Sequence, residues 1–169
     1  YRVYQEKNVN VPFSKGLAFS FVRRLLSLND LSADAENEPL VEVVLLSRND
    51  PDTGLRAVKS IESYGLNISR AIFMQGKSPY EYIPALNISL FLSGNKSDVT
   101  EAIKMKYPAG HVLHSNIVDN EESNDLRIAF DFDGVIADDE SECVMHATND
   151  LAKFHAHESL NVAQPHNPG

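Results

Sequence analysis

Cysteine is nearly missing from this 169-residue chain. Cys143 stands alone, so an internal disulfide and a cysteine-rich metal site are both excluded, and a reducing compartment fits best. The same residue reads as a small buried hydrophobe on a helix. Long apolar runs are missing too. None approaches the ~20 residues of a membrane span, and the opening Tyr1-Arg2-Val3-Tyr4-Gln5-Glu6-Lys7 has no signal-peptide core. A cytoplasmic location is the expectation. Positive charge is scarce: 15 Lys and Arg stand against 24 Asp and Glu, for a net charge of −9. That balance argues against a nucleic acid polymer or an anionic membrane as partner, and a small anionic substrate would need positive groups gathered locally. What remains is ordinary globular material, 43% hydrophobic and 23% charged, of a length that suits one domain with a real core.

Along the chain, apolar and polar stretches alternate in a regular way. Tyr1 to Lys15 reads as an extended lead-in. From Gly16 the residues Leu17, Phe21, Val22, Leu25, Leu26 and Leu28 fall at helical spacing, with Arg23 and Arg24 on the far side. A polar loop ends at Pro39. Val41 to Leu46 is then an apolar, β-branched run of the kind found in strands covered on both faces, followed by a polar turn and a helix from Asp52 to Tyr64 that Gly65 terminates. The pattern repeats with a strand at 71–74, a turn at 75–79 and a short helix at 80–86. A third strand at 88–92 leads through Ser93-Gly94-Asn95 to a helix over 99–105. A fourth strand is expected at 111–113, an acidic linker at 119–125, a fifth strand at 127–131 and a final helix from Asp139 to about Phe154. Strands alternating with helices predict an α/β fold with a mostly parallel sheet and flanking helices.

The stretch with most chemistry is R-I-A-F-D-F-D-G-V-I-A-D-D-E-S-E, residues 127–142. Residues at i and i+2 of a strand share a face, so strand geometry through Asp133 would hold the Asp131 and Asp133 carboxylates close together. Close like charges call for a divalent cation or a raised pKa. One carboxylate can then attack from a Mg²⁺-bound state while the other carries a proton for a leaving group. The plainer reading is a strand-end turn with solvated aspartates. A Ca²⁺ loop of the EF-hand kind fails, because Ile136 stands where that loop needs glycine. Asp139 with Glu142 has the spacing of a capping box for the last helix. The six histidines show no metal-ligand spacing.

In open α/β sheets, ligands bind outside the carboxyl ends of the strands. Ser47 to Asn49, Gly76 to Ser78, Ser93 to Asn95 and Asp131 to Gly134 should therefore converge on one crevice. Serine hydroxyls, small residues that expose backbone N–H, Lys77 and helix N-termini are parts suited to phosphate. Each also has a plain role, Ser47 in a capping turn and Lys77 as a solvated loop lysine.

D-F-D-G-V resembles the D-x-D-G-V/T nucleophile motif of the haloacid dehalogenase superfamily of phosphohydrolases. Together with L-L-S-R-N-D-P-D-T-G-L-R, S-I-E-S-Y-G-L and L-F-L-S-G-N-K-S-D-V, the longer stretch D-F-D-G-V-I-A-D-D-E-S-E is similar to the cytosolic type I 5′-nucleotidase family in its bacterial form. The resemblance implies a haloacid dehalogenase-like, Rossmann-like fold in permuted motif order, since the segments resembling the second and fourth motifs precede Asp131. It implies Asp131 as the nucleophile that becomes an aspartyl phosphate, Asp133 as acid and then base, Ser47 as a phosphoryl ligand and Lys77 as the third-motif cation. Arg48, Asn49, Gly76 and Ser78 would contact substrate. Mg²⁺ would sit on the Asp131 carboxylate and the Asp133 backbone carbonyl, and Asn95 stands where an acid is expected, which leaves Asp98 or Asp139 to complete the metal site.

The function so implied is hydrolysis of a nucleoside 5′-monophosphate to nucleoside and phosphate by one α/β domain over residues 1–169. Two alternatives stay open: a catalytically inactive nucleotide- or metal-binding domain, and a sugar-phosphate phosphatase of the same superfamily. A homo-oligomer is left open. Relatives are expected to extend beyond both ends of this chain, which reads as an internal fragment.

Overall fold

The structure, a computed structural model, describes residues 1–34, 36–114, 120 and 123–164, without the side chains of Ser141 and Glu142. Residues 119, 121 and 122 of the expected acidic linker therefore lie outside the described residues. The chain forms two compact units, Tyr1–Leu126 and Arg127–Gly169, each described by itself.

The first unit is built from two β-α-β units. In one, β1 (Val44–Ser47) runs through α3 (Pro51–Ser63) to β2 (Arg70–Phe73), and the strands pair in parallel with Leu45 opposite Ala71. In the other, β3 (Phe91–Ser93) runs through α4 (Lys96–Lys104) to β4 (Ala109–His111), again parallel, with Leu92 opposite Gly110. The expected single sheet is thus two two-stranded parallel sheets among the described residues. They share one apolar cluster, in which Ile83, Phe91 and Ala102 are buried and Leu46 of β1, Tyr80, Ile88, Tyr107 and Ala109 pack around them. The α/β class and the parallel pairing are as the alternation predicts.

The strands are shorter than their apolar runs, for identifiable reasons. Val41 cannot enter a ladder: its N–H donates to Asn29 Oδ1 and its carbonyl accepts from Asn29 Nδ2, both at 2.9 Å. Ile88 N–H is spent on the Ile83 carbonyl at 3.1 Å, so β3 starts later than expected. The fourth strand falls two residues earlier, on Ala-Gly-His, where small residues give little β signal but let Leu92 lie over Gly110. The helix expected over 80–86 is a pair of 3₁₀ turns, Pro79–Tyr82 and Pro84–Leu86, because Pro84 interrupts it.

Before the first strand, α1 (Arg2–Lys7) replaces the extended lead-in. It is held to α3 by an ion pair between Arg2 and Asp52, and Gln5 is buried. Next comes α2 (Phe19–Ser27), whose Arg23 and Arg24 do not simply face solvent. Arg23 donates to the Ser123 carbonyl at 2.6 Å and Arg24 to the Asn120 carbonyl at 3.1 Å, so the helix holds down a segment far along the chain.

Gly54 marks the closest approach of α3 to its sheet. A Cβ there would lie 2.3–2.5 Å from the Phe73 ring. Alanine would gain about 1 kcal/mol of helix propensity but overpack the contact by about 1–3 kcal/mol. Gly54→Ala should therefore lower the thermal midpoint by a few degrees, roughly 2–4 °C per kcal/mol lost. A midpoint at or above wild type, read by circular dichroism, would show that Phe73 moves freely.

In the second unit, residues 127–131 form no regular strand. A strand needs a neighbour to satisfy its backbone groups, and the unit has no second strand among its described residues. Its apolar side chains stay open, with Phe130 63% exposed. The expected final helix is two, α5 (Glu140–Thr148) and α6 (Leu151–Asn161). Asn149, at φ 46°, ends the first in the left-handed region, and the Asp150 carboxylate caps the second by accepting from Ala152 N and Lys153 N. Cys143 is on α5 as expected but exposed. No helix of the described residues is long and apolar enough to cross a membrane.

Candidate active site

The polar groups of the first unit gather at the carboxyl ends of β1, β2 and β3. Two strand ends use the same device. After β1, the Asn49 N–H donates to Ser47 Oγ at 3.2 Å; after β3, the Asn95 N–H donates to Ser93 Oγ at 3.0 Å. Each S-x-N turn opens onto a capped helix: Asp50 accepts from Thr53 N at 2.8 Å to start α3, and Asn95 accepts from Ser97 N at 2.9 Å to start α4. Both serine hydroxyls keep their own proton for a further acceptor.

The turn after β2 does something other than the sequence suggests. Gln75 N donates to the Asn49 carbonyl at 3.1 Å, Gly76 N to the Arg48 carbonyl at 2.6 Å and Lys77 N to the Met74 carbonyl at 3.0 Å. These N–H groups are committed, so the turn is not the exposed amide cradle that Gly76 implied; it ties the ends of β1 and β2 together. Gly76 is needed at φ 88°, beside Gln75 at φ 50°. The Lys77 side chain is exposed and Ser78 half-buried.

Arg48 links all three ends. Its guanidinium forms a two-point pair with Asp98 of α4, Nε to Oδ2 at 3.3 Å and Nη2 to Oδ1. On its other edge, Nη1 faces the Gly76 carbonyl at 3.4 Å and Nη2 faces Ser78 Oγ at 3.5 Å. Asp98 is buried at 3% exposure, whereas the Arg48 side chain is 42% exposed. The hydrogen bonds it donates to the Asp98 carboxylate raise the Arg48 pKa further above its already high value, so the guanidinium stays charged. His111 Nε2 lies 3.2 Å from the Gly94 carbonyl and closes the same edge. The Arg48–Asp98 pair was not visible as a pair in the sequence, being 50 residues apart. The available signal was position: each follows the end of a strand that belongs to a parallel pair.

The second unit carries the acidic turn. Phe132 carbonyl accepts from Val135, Ile136 and Ala137 N–H at 3.3, 2.9 and 3.0 Å, and Asp133 bridges Ala137. Gly134 permits this at φ 70°. Asp131 is exposed, its Oδ1 accepting from Phe132 N at 2.9 Å, and Asp133 is half-buried. Asp139 lies alongside, its Cβ 3.7 Å from where a Gly134 Cβ would be. Asp139 is the N-cap residue of α5 but its side chain makes no capping bond, so the expected capping box is not formed through it; the Glu142 side chain lies outside the described residues. Among the described residues no three His, Cys, Asp or Glu side chains stand close enough together to hold a metal ion.

Paired parallel strands with polar turns at their carboxyl ends define an α/β protein with its working groups on loops. The particular kind is settled by comparison: the 5′-nucleotidase family model matches residues 1–169, and the chain belongs to that family. Cytosolic 5′-nucleotidase 1B of Homo sapiens is 32% identical over 169 residues, covering 98% of this chain. The chain spans 27% of that relative's length. No solved structure matches it.

Proposed function

We propose that this chain carries the reaction centre of a metal-dependent 5′-nucleotidase that hydrolyses a nucleoside 5′-monophosphate. The observation that carries this is the D-F-D-G-V turn, a tight acidic loop in a chain that matches the 5′-nucleotidase family from end to end. That match crosses both compact units; the reading of the chain as one haloacid dehalogenase-like phosphohydrolase domain in permuted order rests on the resemblance of D-F-D-G-V to the nucleophile motif.

In this reading an Asp131 carboxylate oxygen attacks phosphorus, the bond to the 5′-oxygen breaks, and Asp133 gives that oxygen its proton. Water then attacks the aspartyl phosphate, Asp133 takes the water proton, and phosphate leaves with Asp131 restored. Ser47, Arg48, Asn49 and Ser78, with Lys77, bind and orient the phosphorylated substrate. The donor set suits a hard cation, because Asp131 is exposed and the Asp139 side chain makes no capping bond. Mg²⁺ binds through one or two carboxylates plus waters and substrate phosphate, so it does not require three protein side chains. Asp131, the Asp133 carbonyl and Asp139 would hold it, and it would offset charge on the transferring phosphoryl group.

The test is phosphate release from AMP with and without Mg²⁺, with a hexose phosphate alongside. Release from AMP that needs Mg²⁺ is expected; faster release from the hexose phosphate would move the assignment to a sugar-phosphate phosphatase. A second reading is a domain that binds nucleotide without turnover. Mg²⁺-dependent AMP binding with no phosphate released would select it.

A further inference from the structure

We infer that Asp98 is a positioning residue for phosphate recognition, fixing the Arg48 guanidinium so that its exposed edge meets phosphoryl oxygens at the strand ends. The inference rests on the preceding reading, in which substrate phosphate binds there, and it departs from the metal role that the sequence offered Asp98.

Three observations support it. Asp98 is 3% exposed, and its two carboxylate oxygens are both taken by Arg48, so a metal ion would have to displace the guanidinium. Asp98 is not needed as a helix cap, since Asn95 caps α4. Arg48 has five N–H donors; the side facing Asp98 is firmly bonded, whereas the contacts to Gly76 O at 3.4 Å and Ser78 Oγ at 3.5 Å lie at the outer limit of hydrogen bonding. That edge belongs to a side chain 42% exposed. A planar fork held from behind by a carboxylate, with only long contacts on its other edge, presents those donors in one fixed direction, which suits bidentate capture of phosphate.

Calorimetric titration of inorganic phosphate and of AMP reads this without needing turnover. Removing a negative charge beside a phosphate site should by itself tighten binding, so the two effects have opposite signs. With Asp98→Asn, affinity for both is expected to fall about tenfold; equal or tighter binding would overturn the inference. Arg48→Lys, altered on the exposed partner, keeps the charge and loses the fork, and is expected to weaken binding by a similar factor even if Asp98→Asn folds poorly. Unchanged affinity in Arg48→Lys would also overturn it. The double variant should bind no worse than Arg48→Lys alone, because the residues act as a unit; additive losses would count against it. A raised Mg²⁺ requirement in Asp98→Asn with unchanged phosphate affinity would return Asp98 to the metal. If wild type binds phosphate and the variants weaken it but AMP is not hydrolysed, the nucleotidase reading falls and this inference stands. No phosphate binding by wild type would sink the inference itself.

Discussion

Asp131→Asn should abolish phosphate release from AMP, lowering turnover on the order of 10⁴-fold or more, as removal of a covalent nucleophile does elsewhere. The amide is close to isosteric, and Asp131 is exposed with one local bond to Phe132 N, so the fold has little reason to change. The loop is organised by the Phe132 carbonyl and by Gly134 at φ 70°, neither of which is touched. The loss would therefore fall on chemistry: an amide oxygen is too weak a nucleophile to form the phosphoryl bond, and a neutral group no longer attracts a cation. Thermal midpoints of the two proteins should agree within about 2 °C, corresponding to a change below about 1 kcal/mol. Wild-type turnover in the variant would remove Asp131 as nucleophile.

Asp133→Asn provides the contrast. In the proposed mechanism Asp133 carries the proton, so its loss should slow AMP while sparing substrates whose leaving group needs no proton, such as an aryl phosphate with an acidic phenol. Equal losses on both substrates would mean that Asp133 acts through something other than proton transfer.

What the sequence made legible follows from range. The start of α3 was readable to within a residue, Asp52 against the observed Pro51, but its cap, Asp50 accepting from Thr53 N, was not singled out. Alternating strands and helices gave the α/β class, and Gly65 did end α3, at φ 64°. The strands were overextended because an apolar run does not announce which backbone groups are already committed; the Asn29 clamp on Val41 acts across 12 residues. Residues 127–131 show the same limit in a stronger form, since β-propensity describes fitness for a sheet and cannot supply the neighbouring strand. At the candidate site, Ser47, Arg48, Gly76 and Ser78 were located by the rule that loops at strand ends carry ligands, but what each does came only with the structure. Gly76 ties β1 to β2 through its N–H, and Arg48 reaches Asp98, Gly76 and Ser78 at once.

Arg56 was not singled out in the sequence, yet the structure makes it a residue whose loss should cost much stability. Its side chain is buried at 8% exposure, and among the described residues it makes no ion pair. Nε donates to the Val11 carbonyl at 2.7 Å and Nη1 to Gln5 Oε1 at 3.2 Å, while the guanidinium lies 4.1 Å from the Phe13 ring centroid and 5.9 Å from that of Tyr4. Neighbouring positions on the same face of α3 continue the attachment: Lys59 donates to Asn10 Oδ1, and Ser60 Oγ accepts from Phe13 N. The first 13 residues are thus ordered by one face of a helix 45–51 residues later, which is why no local pattern revealed it. Arg56→Ala would leave the buried Gln5 amide oxygen unpaired, at about 1–3 kcal/mol, remove the part-buried bond to the Val11 carbonyl, and forfeit a cation–π contact of about 2 kcal/mol. Relaxation and water entry would recover part, so a net loss of about 3 kcal/mol is expected, or roughly 6–12 °C in thermal midpoint. Arg56→Lys should recover only a minor part, because an ammonium cannot reach Val11 and Gln5 while stacking on Phe13. Limited proteolysis separates local from global effects: early cleavage near residues 8–13 in Arg56→Ala, before the rest of the chain, is the expected pattern. A midpoint within about 2 °C of wild type and an unchanged cleavage pattern would show that the N-terminal segment is held without Arg56.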